Sequence, residues 1–578
     1  LSQSVAGVIW QRFTKSPIPF DMTLRHYLYS CALLLLLSCA KKDTPIPVEP
    51  IKPPAGSFTF TALKVNELFS GYSYYGLNAS PVFKISFSGP VDKISVASAI
   101  LMKDKDGNAV KTEITYENND QTLIIKPLSP LKSISKYFLD IQTNLKAGTG
   151  ANLNSAITVN FTTQVDPADK FPLISDDELL TLAQKQTFKY FWDFAHPNSG
   201  LSRERNTSGN LVTSGGSGFG IMALITGVHR SFISRSEGLG RMQKIVAFLK
   251  DKAQRFHGAY PHWLDGNTGT VIPFSPKDNG ADLVETSFLM QGMLSARQFF
   301  NNPDPIETQL RKDISTIYNE VEWDWFRKNN SNTLYWHWSP TLGWDMNMPI
   351  RGWNEALITY VLAASSTTHG IPRNVYDNGW ANNGSMKNGG NFYNVQLPLG
   401  PVNGGPLFFS HYSFLGINPI GLKDTYADYE AQTKAHSLIQ YNYAKANPKN
   451  FYGYGESCWG LTASDDINGY LAHEPNNDNG VISPTAALSS FPYTPVESMQ
   501  ALKYFYYKLG DKIWSDYGFT DAFSLHDAWF ASSTLAIDQG PIIIMIENHR
   551  SKLLWNLFMS APEVKSGMQK LGFTSPNL

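Results

Sequence analysis

At 578 residues the chain is too long for one ordinary domain, so two or more are expected. Lysine plus arginine number 48 against 49 aspartate plus glutamate, a balance that argues against nucleic acid or a polyanionic substrate as the main partner. Of three cysteines only Cys458 lies beyond the first 39 residues, which excludes a disulfide-built scaffold.

Residues 1–21 read as an over-extended start ahead of Met22. A short basic segment with Arg25 and His26 precedes an apolar-leaning run at 27–37, too short to span a bilayer, and this predicts a signal peptide. The run closes on Leu36-Leu37-Ser38-Cys39, which resembles a bacterial lipobox with Cys39 as the lipidated residue. The resemblance implies a cell-envelope lipoprotein, on the periplasmic side or the outer-membrane surface, that meets the membrane through its lipid anchor only. Lys41, Lys42 and Asp43 loosely resemble a surface-export signal of Bacteroidetes-type lipoproteins. A polar, Pro-rich tether follows and completes a leader region over 1–56.

Residues 57–164 change texture. Runs at 82–87, 123–126, 137–141 and 157–161 read as strands, with Gly89-Pro90, Asp106-Gly107-Asn108 and Asn118-Asn119-Asp120 as turns. This spacing predicts a small all-β sandwich. The series Phe87-Ser88-Gly89-Pro90-Val91-Asp92, with Phe161-Thr162-Thr163 at the end, resembles the bacterial Ig-like domain. No clustered acids or rings stand out, so a spacer or a weak docking surface is expected. Residues 165–173, with Pro167 and Pro172, read as a linker.

From 174 to 578 the period is helical. Segments near 176–195, 217–232, 239–255, 281–300, 307–326, 353–366, 423–446, 485–509, 523–535, 541–559 and 563–571 repeat apolar residues every three or four positions. A mainly α domain follows, and paired helices in two rings, an (α/α)6 toroid, suit the pattern. Long loops at 201–216, 372–406 and 453–483 would converge on one mouth. The Gly-rich segment 214–220 lacks the Lys-Ser/Thr of a phosphate loop and reads as allowing close approach to a sugar.

Glu355 falls in the first turn of a helix predicted from Trp353, where the helix dipole favours a carboxylate. Trp344, Asp345, Arg351 and Gly352 precede it. Taken alone, Glu355 could simply favour the helix start and Trp353 could fill the core. Asp278, Asp282 and Glu285 are spaced i, i+4 and i+7, so a helix beginning early would carry all three on one face. Proteins tolerate such repulsion mainly where a site needs a raised pKa or a polar ligand. Asp538 stands just before Pro541, read as a helix start. Glu456 lies in a Gly-flexed loop between rings. Asp465 and Asp466 follow, at least one of them a turn or cap acid. Trp263, Trp336, Trp338, Trp344, Trp353 and Trp459 are candidate stacking platforms, although cores also consume indoles. His262, His337, His411 and His473 sit in the same loops without zinc-ligand spacing, so no metal and no cofactor are expected.

Six motifs carry a resemblance to the bacterial glycoamylase-like domain: Phe188-Lys189-Tyr190-Phe191-Trp192-Asp193-Phe194, the segment 214–220, Asp282-Leu283-Val284-Glu285, Arg351-Gly352-Trp353-Asn354-Glu355, residues 454–460, and Asp538-Gln539-Gly540-Pro541. That family includes glycoside hydrolase family 144, whose characterised members cut β-1,2-glucans within an (α/α)6 barrel. The resemblance implies an inverting hydrolase of β-1,2-glucan or its oligosaccharides. Glu355 would be the general acid, Asp538 the base acting through water, and Asp278, Asp282 and Glu285 would position substrate or water. Inversion would hold acid and base roughly 6.5–9.5 Å apart. Candidates for substrate contact are Trp353, Arg351, Glu456, Trp459, Trp344, Trp263 and Asp465. A monomer is expected. Two other classes stay open: a polysaccharide lyase on the same toroid, which would need basic groups for a uronate, and a non-catalytic glycan-binding lipoprotein.

Overall fold

Alternating burial builds the first unit. In the computed structural model, which describes residues 56–578, its elements are β1 (Phe60–Val65), β2 (Ser73–Leu77), β3 (Phe83–Phe87), α1 (Lys93–Ala99), β4 (Ile100–Asp104), β5 (Ala109–Val110), β6 (Thr112–Glu117), β7 (Thr122–Pro127), β8 (Lys136–Ile141) and β9 (Ile157–Thr163). One sheet runs β1-β3-β7-β6 and the other β2-β9-β8-β4-β5, with β2 and β9 parallel. Phe83, Ile85, Leu123, Ile125, Leu139 and Val159 turn inward and are fully buried, because residues two apart share a sheet face. The rings of Phe83 and Phe161, one from each sheet, meet at 5.0 Å. Helix α1 was not foreseen. It has only seven residues, too few turns to show a helical period, and starts where Asp92 accepts the Ile94 N–H at 3.0 Å. The leader with Cys39 lies outside the described residues.

The second unit, Val165–Leu578, is helical. It contains α2 (Asp176–Trp192), α3 (Ser214–His229), α4 (Arg235–Asp251), α5 (Leu283–Phe299), α6 (Pro305–Asn319), α7 (Leu357–Ser365), α8 (Arg373–Asn378), α9 (Tyr429–Ala446), α10 (Pro484–Leu488), α11 (Pro495–Lys503), α12 (Gly510–Ile513), α13 (Ala536–Ser551), α14 (Leu553–Ser560) and α15 (Pro562–Leu571). Two kinds of helix are present. Helices α2, α4, α6 and α15 bury one face. Helices α3, α5, α7, α10 and α13 are buried nearly all round. A helix apolar on every side must be enclosed by other helices. Helix α3 packs on α5 and α13, α5 on α7, and α10 on α13. The short 3-10 segment Ser413–Leu415 touches both α7 and α13.

The closest of these contacts explains the Gly-rich segment. A Cβ on Gly218 would lie 2.1 Å from the Phe288 carbonyl oxygen, and one on Gly292 would lie 2.2 Å from the Gly218 carbonyl oxygen. Gly218 and Gly292 therefore let the backbones of α3 and α5 touch, and the expectation that segment 214–220 approaches a sugar gives way to helix packing. Gly218→Ala is expected to cost about 3 kcal/mol or more, since the atoms in conflict with a methyl, the Phe288 carbonyl and the Leu289 Cα, are all fixed backbone. Thermal melting checks it, and an unchanged melting temperature would refute the close approach.

Several predicted boundaries move. Residues 523–535 form a hairpin of Phe523–Ser524 with Trp529–Phe530 instead of a helix, and the chain turns at Ala528, whose φ is +52°. An apolar run of this length fits strand and helix equally. Residues 485–509 break into α10, α11 and a π-helical turn at Tyr504–Lys508, because Pro495 opens a new helix. Helix α13 begins at Ala536, which leaves Pro541 inside it and Asp538 in its first turn. Helix α7 begins at Leu357, so Glu355 immediately precedes its N-cap, Ala356.

Candidate active site

Asp282 ends a short strand and caps α5. Its Oδ1 accepts the N–H groups of Val284 at 3.0 Å and Glu285 at 2.9 Å. That leaves Oδ2 for two histidines, His262 Nδ1 at 3.3 Å and His337 Nε2 at 3.4 Å. His337 Nε2 also lies 3.3 Å from Asp278 Oδ2. Asp278 belongs to the loop before α5 and not to its face, so the expected single helical face is wrong. The pairing of Asp282 with His337 across a two-residue strand, and the shared His337, bring Asp278 to the same place. Glu285, in the first turn of α5, accepts the Gly215 N–H at 2.8 Å from the start of α3.

Charge in this cluster is sorted by partner. Burial lowers a histidine pKa, but the carboxylates of Glu285, Asp282 and Asp278 overcome it and push His262 up to about 10. His337 is raised against burial by Asp278 and Asp282. Burial alone would raise Asp282, but its bonds to His262 and His337 hold it well below the usual carboxylate range. Asp278 and Glu285 are raised by burial, with His337 and His262 respectively pulling the other way. Asp282 is thus an anion beside the cation His262, with His337 shifted toward its charged form. His262, Asp278 and Asp282 also present donor atoms within 4.8 Å of one another, a set that could hold a metal ion.

Glu355 has no such cation. Burial pushes its carboxyl up to about 8, its own N–H opposes this, and Glu285 and Asp282 add to the rise. It is fixed by its backbone: the Ser413 hydroxyl donates to the Glu355 carbonyl and accepts the Ile358 N–H at 3.0 Å. Below pH 8 this carboxyl keeps its proton.

A second acid group forms at α13. Asp538 is 1 % exposed, and its carboxyl is raised by burial and then by Asp521 and Asp465. Asp521 is pushed up to about 7 by burial and by Asp465, although the Asp465 N–H donates to it at 2.6 Å. Asp465 is held by Arg205 Nη1 at 3.1 Å and by the Ser533 hydroxyl. The buried pair Asp521 and Asp538 therefore retains a proton up to neutral pH. Tyr412 is coupled to both groups. Its phenol is raised by burial and then by Asp538, Tyr470, Glu355 and Glu285, so one hydroxyl senses both clusters.

The rings sort differently. Trp263 is half-buried and edge-on to Phe274 at 4.7 Å, while Phe274 stacks on His262 at 4.3 Å, so this wall borders the first cluster. Trp344 is half-buried and stacks on Trp325 at 4.8 Å. Arg351 is exposed. Trp459 is fully buried, with its N–H donating to the Glu497 carbonyl at 3.2 Å, and cannot offer a face to a sugar. Trp353 is also a core ring, packed on Trp380 and Phe414. Glu456 is exposed and paired with Lys445 at 2.6 Å on α9. Both residues of this pair can be solvated, so Glu456→Ala is expected to leave turnover within about twofold. A steady-state assay on the same substrate checks this, and a tenfold loss would return Glu456 to the site. Asp466 caps its hairpin by accepting the Asn468 N–H at 2.9 Å. Asp521, Arg205, Tyr412 and Tyr470 escaped the sequence reading.

The family described as "Putative glucoamylase" matches residues 347–562, and the bacterial Ig-like domain matches residues 61–163. An exo β-1,2-glucooligosaccharide sophorohydrolase (non-reducing end) of Parabacteroides distasonis is 46 % identical over 430 residues, 71 % of this chain. The chain spans 59 % of the length of that curated relative. A "putative glucoamylase" structure from Bacteroides uniformis has a TM-score of 0.70 at 55 % identity, covering 71 % of this chain and 100 % of that one. The endo-β-1,2-glucanase of Chitinophaga pinensis, in complex with sophorotriose and glucose, has a TM-score of 0.69 at 53 % identity, covering 70 % and 100 %. With relatives more than half identical over their whole length, the chain belongs to the glycoamylase-like family and carries a bacterial Ig-like domain ahead of that region.

Proposed function

We propose that the protein is a glycoside hydrolase of β-1,2-glucan or its oligosaccharides, acting by general acid and base with inversion. The observation that carries this is the half-buried Glu355, a carboxyl protonated up to about pH 8 beside an aromatic-walled acid cluster. Such a group can protonate a glycosidic oxygen at neutral pH. The substrate follows the names of the relatives from Parabacteroides distasonis and Chitinophaga pinensis.

Glu355 gives its proton to the leaving oxygen. The Asp521 and Asp538 pair, once singly ionised, takes one proton from the attacking water: Asp538 is the acceptor and passes the proton it already holds to Asp521. Asp282, fixed as an anion, together with Glu285 and Asp278 orients sugar hydroxyls. Trp263 provides a ring face for the sugar. The all-round buried helices α3, α5, α7, α10 and α13 form the inner ring of an (α/α)6 toroid, with Ser413–Leu415 taking a place in that ring and the one-sided helices outside. A lipid on Cys39 would tether the enzyme to the cell envelope.

Incubation of the purified chain with linear β-1,2-glucan tests the reading, with products sized and their anomeric form followed. Release of reducing ends in the inverted configuration is expected. Intact polymer, or products absorbing in the ultraviolet through a new double bond, would sink it.

A further inference from the structure

The Ig-like unit carries rings that the sequence did not reveal. Strand β1 ends one sheet and β2 ends the other. Beside these two edges is a cleft of about 640 Å³ lined by Thr59, Phe60, Tyr72, Asn154, Ser155 and Thr158, among others. The ring of Tyr72 lies 6.2 Å from that of Phe60 and 6.3 Å from that of Phe69, which meets it edge-on. Phe69 is 61 % exposed and Tyr72 45 % exposed. Core rings would be covered, and scattered surface rings would not converge on a cleft rimmed by hydroxyls and an amide.

The lining has no aspartate, glutamate, histidine, lysine or arginine. The carboxylate that Thr158 reaches, Asp140 at 2.8 Å, is already neutralised by Lys103 at 2.7 Å. A phosphate or polyanion would find no cation here, and a cationic ligand no free carboxylate. A wholly apolar partner would cover Asn154, Ser155 and Thr158 without giving them hydrogen bonds, which is costly. Ring faces interleaved with neutral donors and acceptors suit a neutral chain that is apolar on its faces and hydroxylated at its edges. We propose that this cleft is a second carbohydrate site, which binds a neutral glucan chain and keeps the polymer on the protein. The choice of glucan rests on the hydrolase reading above; the cleft's chemistry does not.

The test uses the full chain carrying Glu355→Gln to stop turnover, with and without Tyr72→Ala or Ser155→Arg. Retention is measured by affinity electrophoresis in gels containing soluble β-1,2-, β-1,3-, β-1,4- or α-1,4-glucan. Both positions are exposed, and equal melting temperatures confirm folding. Binding of at least one polymer is expected to weaken about tenfold, the usual effect of removing a central aromatic contact. In the chain that keeps Glu355, turnover of a short β-1,2-oligosaccharide should stay within twofold. Unchanged retention of both variants on every glucan overturns the proposal, as does the absence of any binding. Retention that depends on Tyr72 without hydrolysis of β-1,2-glucan would sink the hydrolase reading alone, whereas hydrolysis with retention insensitive to Tyr72 would sink only this one.

Discussion

Glu355→Gln is expected to lower turnover of β-1,2-glucan by roughly 10³–10⁴-fold, at the upper end of what a general acid contributes. The amide keeps the shape of the side chain but has no proton to give. In the parent enzyme kcat/KM should fall above pH 8, where Glu355, pushed up to about 8 by burial, loses its proton. The same shift fixes a stability signature. The folded pKa lies above that of an unfolded glutamate, so the folded state holds a proton that the unfolded state has released. Stability from this group is full below the unfolded value, declines as pH rises, and is lost by the time pH passes about 8. Gln has nothing to lose over that window. The variant should therefore be inactive and melt no lower than the parent at pH 9. Activity within tenfold of the parent would remove Glu355 from the role of acid, and a lower melting temperature at every pH would make its role structural.

How far the site could be read in advance depended on how local each signal is. Asp282 and Glu285 were legible as acids one turn apart ahead of a buried helix, but the same spacing wrongly put Asp278 on that helix, and it did not show that Asp282 caps it. Glu355 was legible as part of a motif, although its helix starts two residues after it. Periodicity reports which side of a helix is covered, but it does not report which buried polar atoms meet across a core. Asp521 meets Asp465 and Asp538 from segments far apart in the chain, and it borders a run that reads as helix and folds as a hairpin. Tyr412 belongs to a region of short 3-10 turns with no period to read. The indoles failed for the opposite reason. Gly-rich surroundings of Trp459 and Trp353 suit a groove and a tightly packed core equally, and here they mark the core. Likewise, the glycines of α3 read as room for a ligand because spacing alone cannot show that another backbone fills that room.

Asp538→Asn is expected to reduce turnover by about 10³-fold, through loss of the group that takes the proton of the attacking water. Its effect on stability should run the other way. Asp538 and Asp521 are both raised above their unfolded values by burial and by neighbouring acids. Proton linkage then makes the folded state progressively less stable as pH rises from the unfolded carboxyl range through about 7, where Asp521 ionises. An amide at 538 removes one of the two like charges, so this decline should shrink, and the variant should melt at or above the parent at pH 8. Asp521→Asn tests the partner role. With one carboxyl left, Asp538 should ionise more readily, and the acid limb of kcat/KM should move to lower pH while some activity survives. If Asp521→Asn leaves that limb in place, Asp521 does not share the proton. If Asp538→Asn loses activity and stability together at every pH, the carboxyl at 538 supports the start of α13 and the base lies elsewhere.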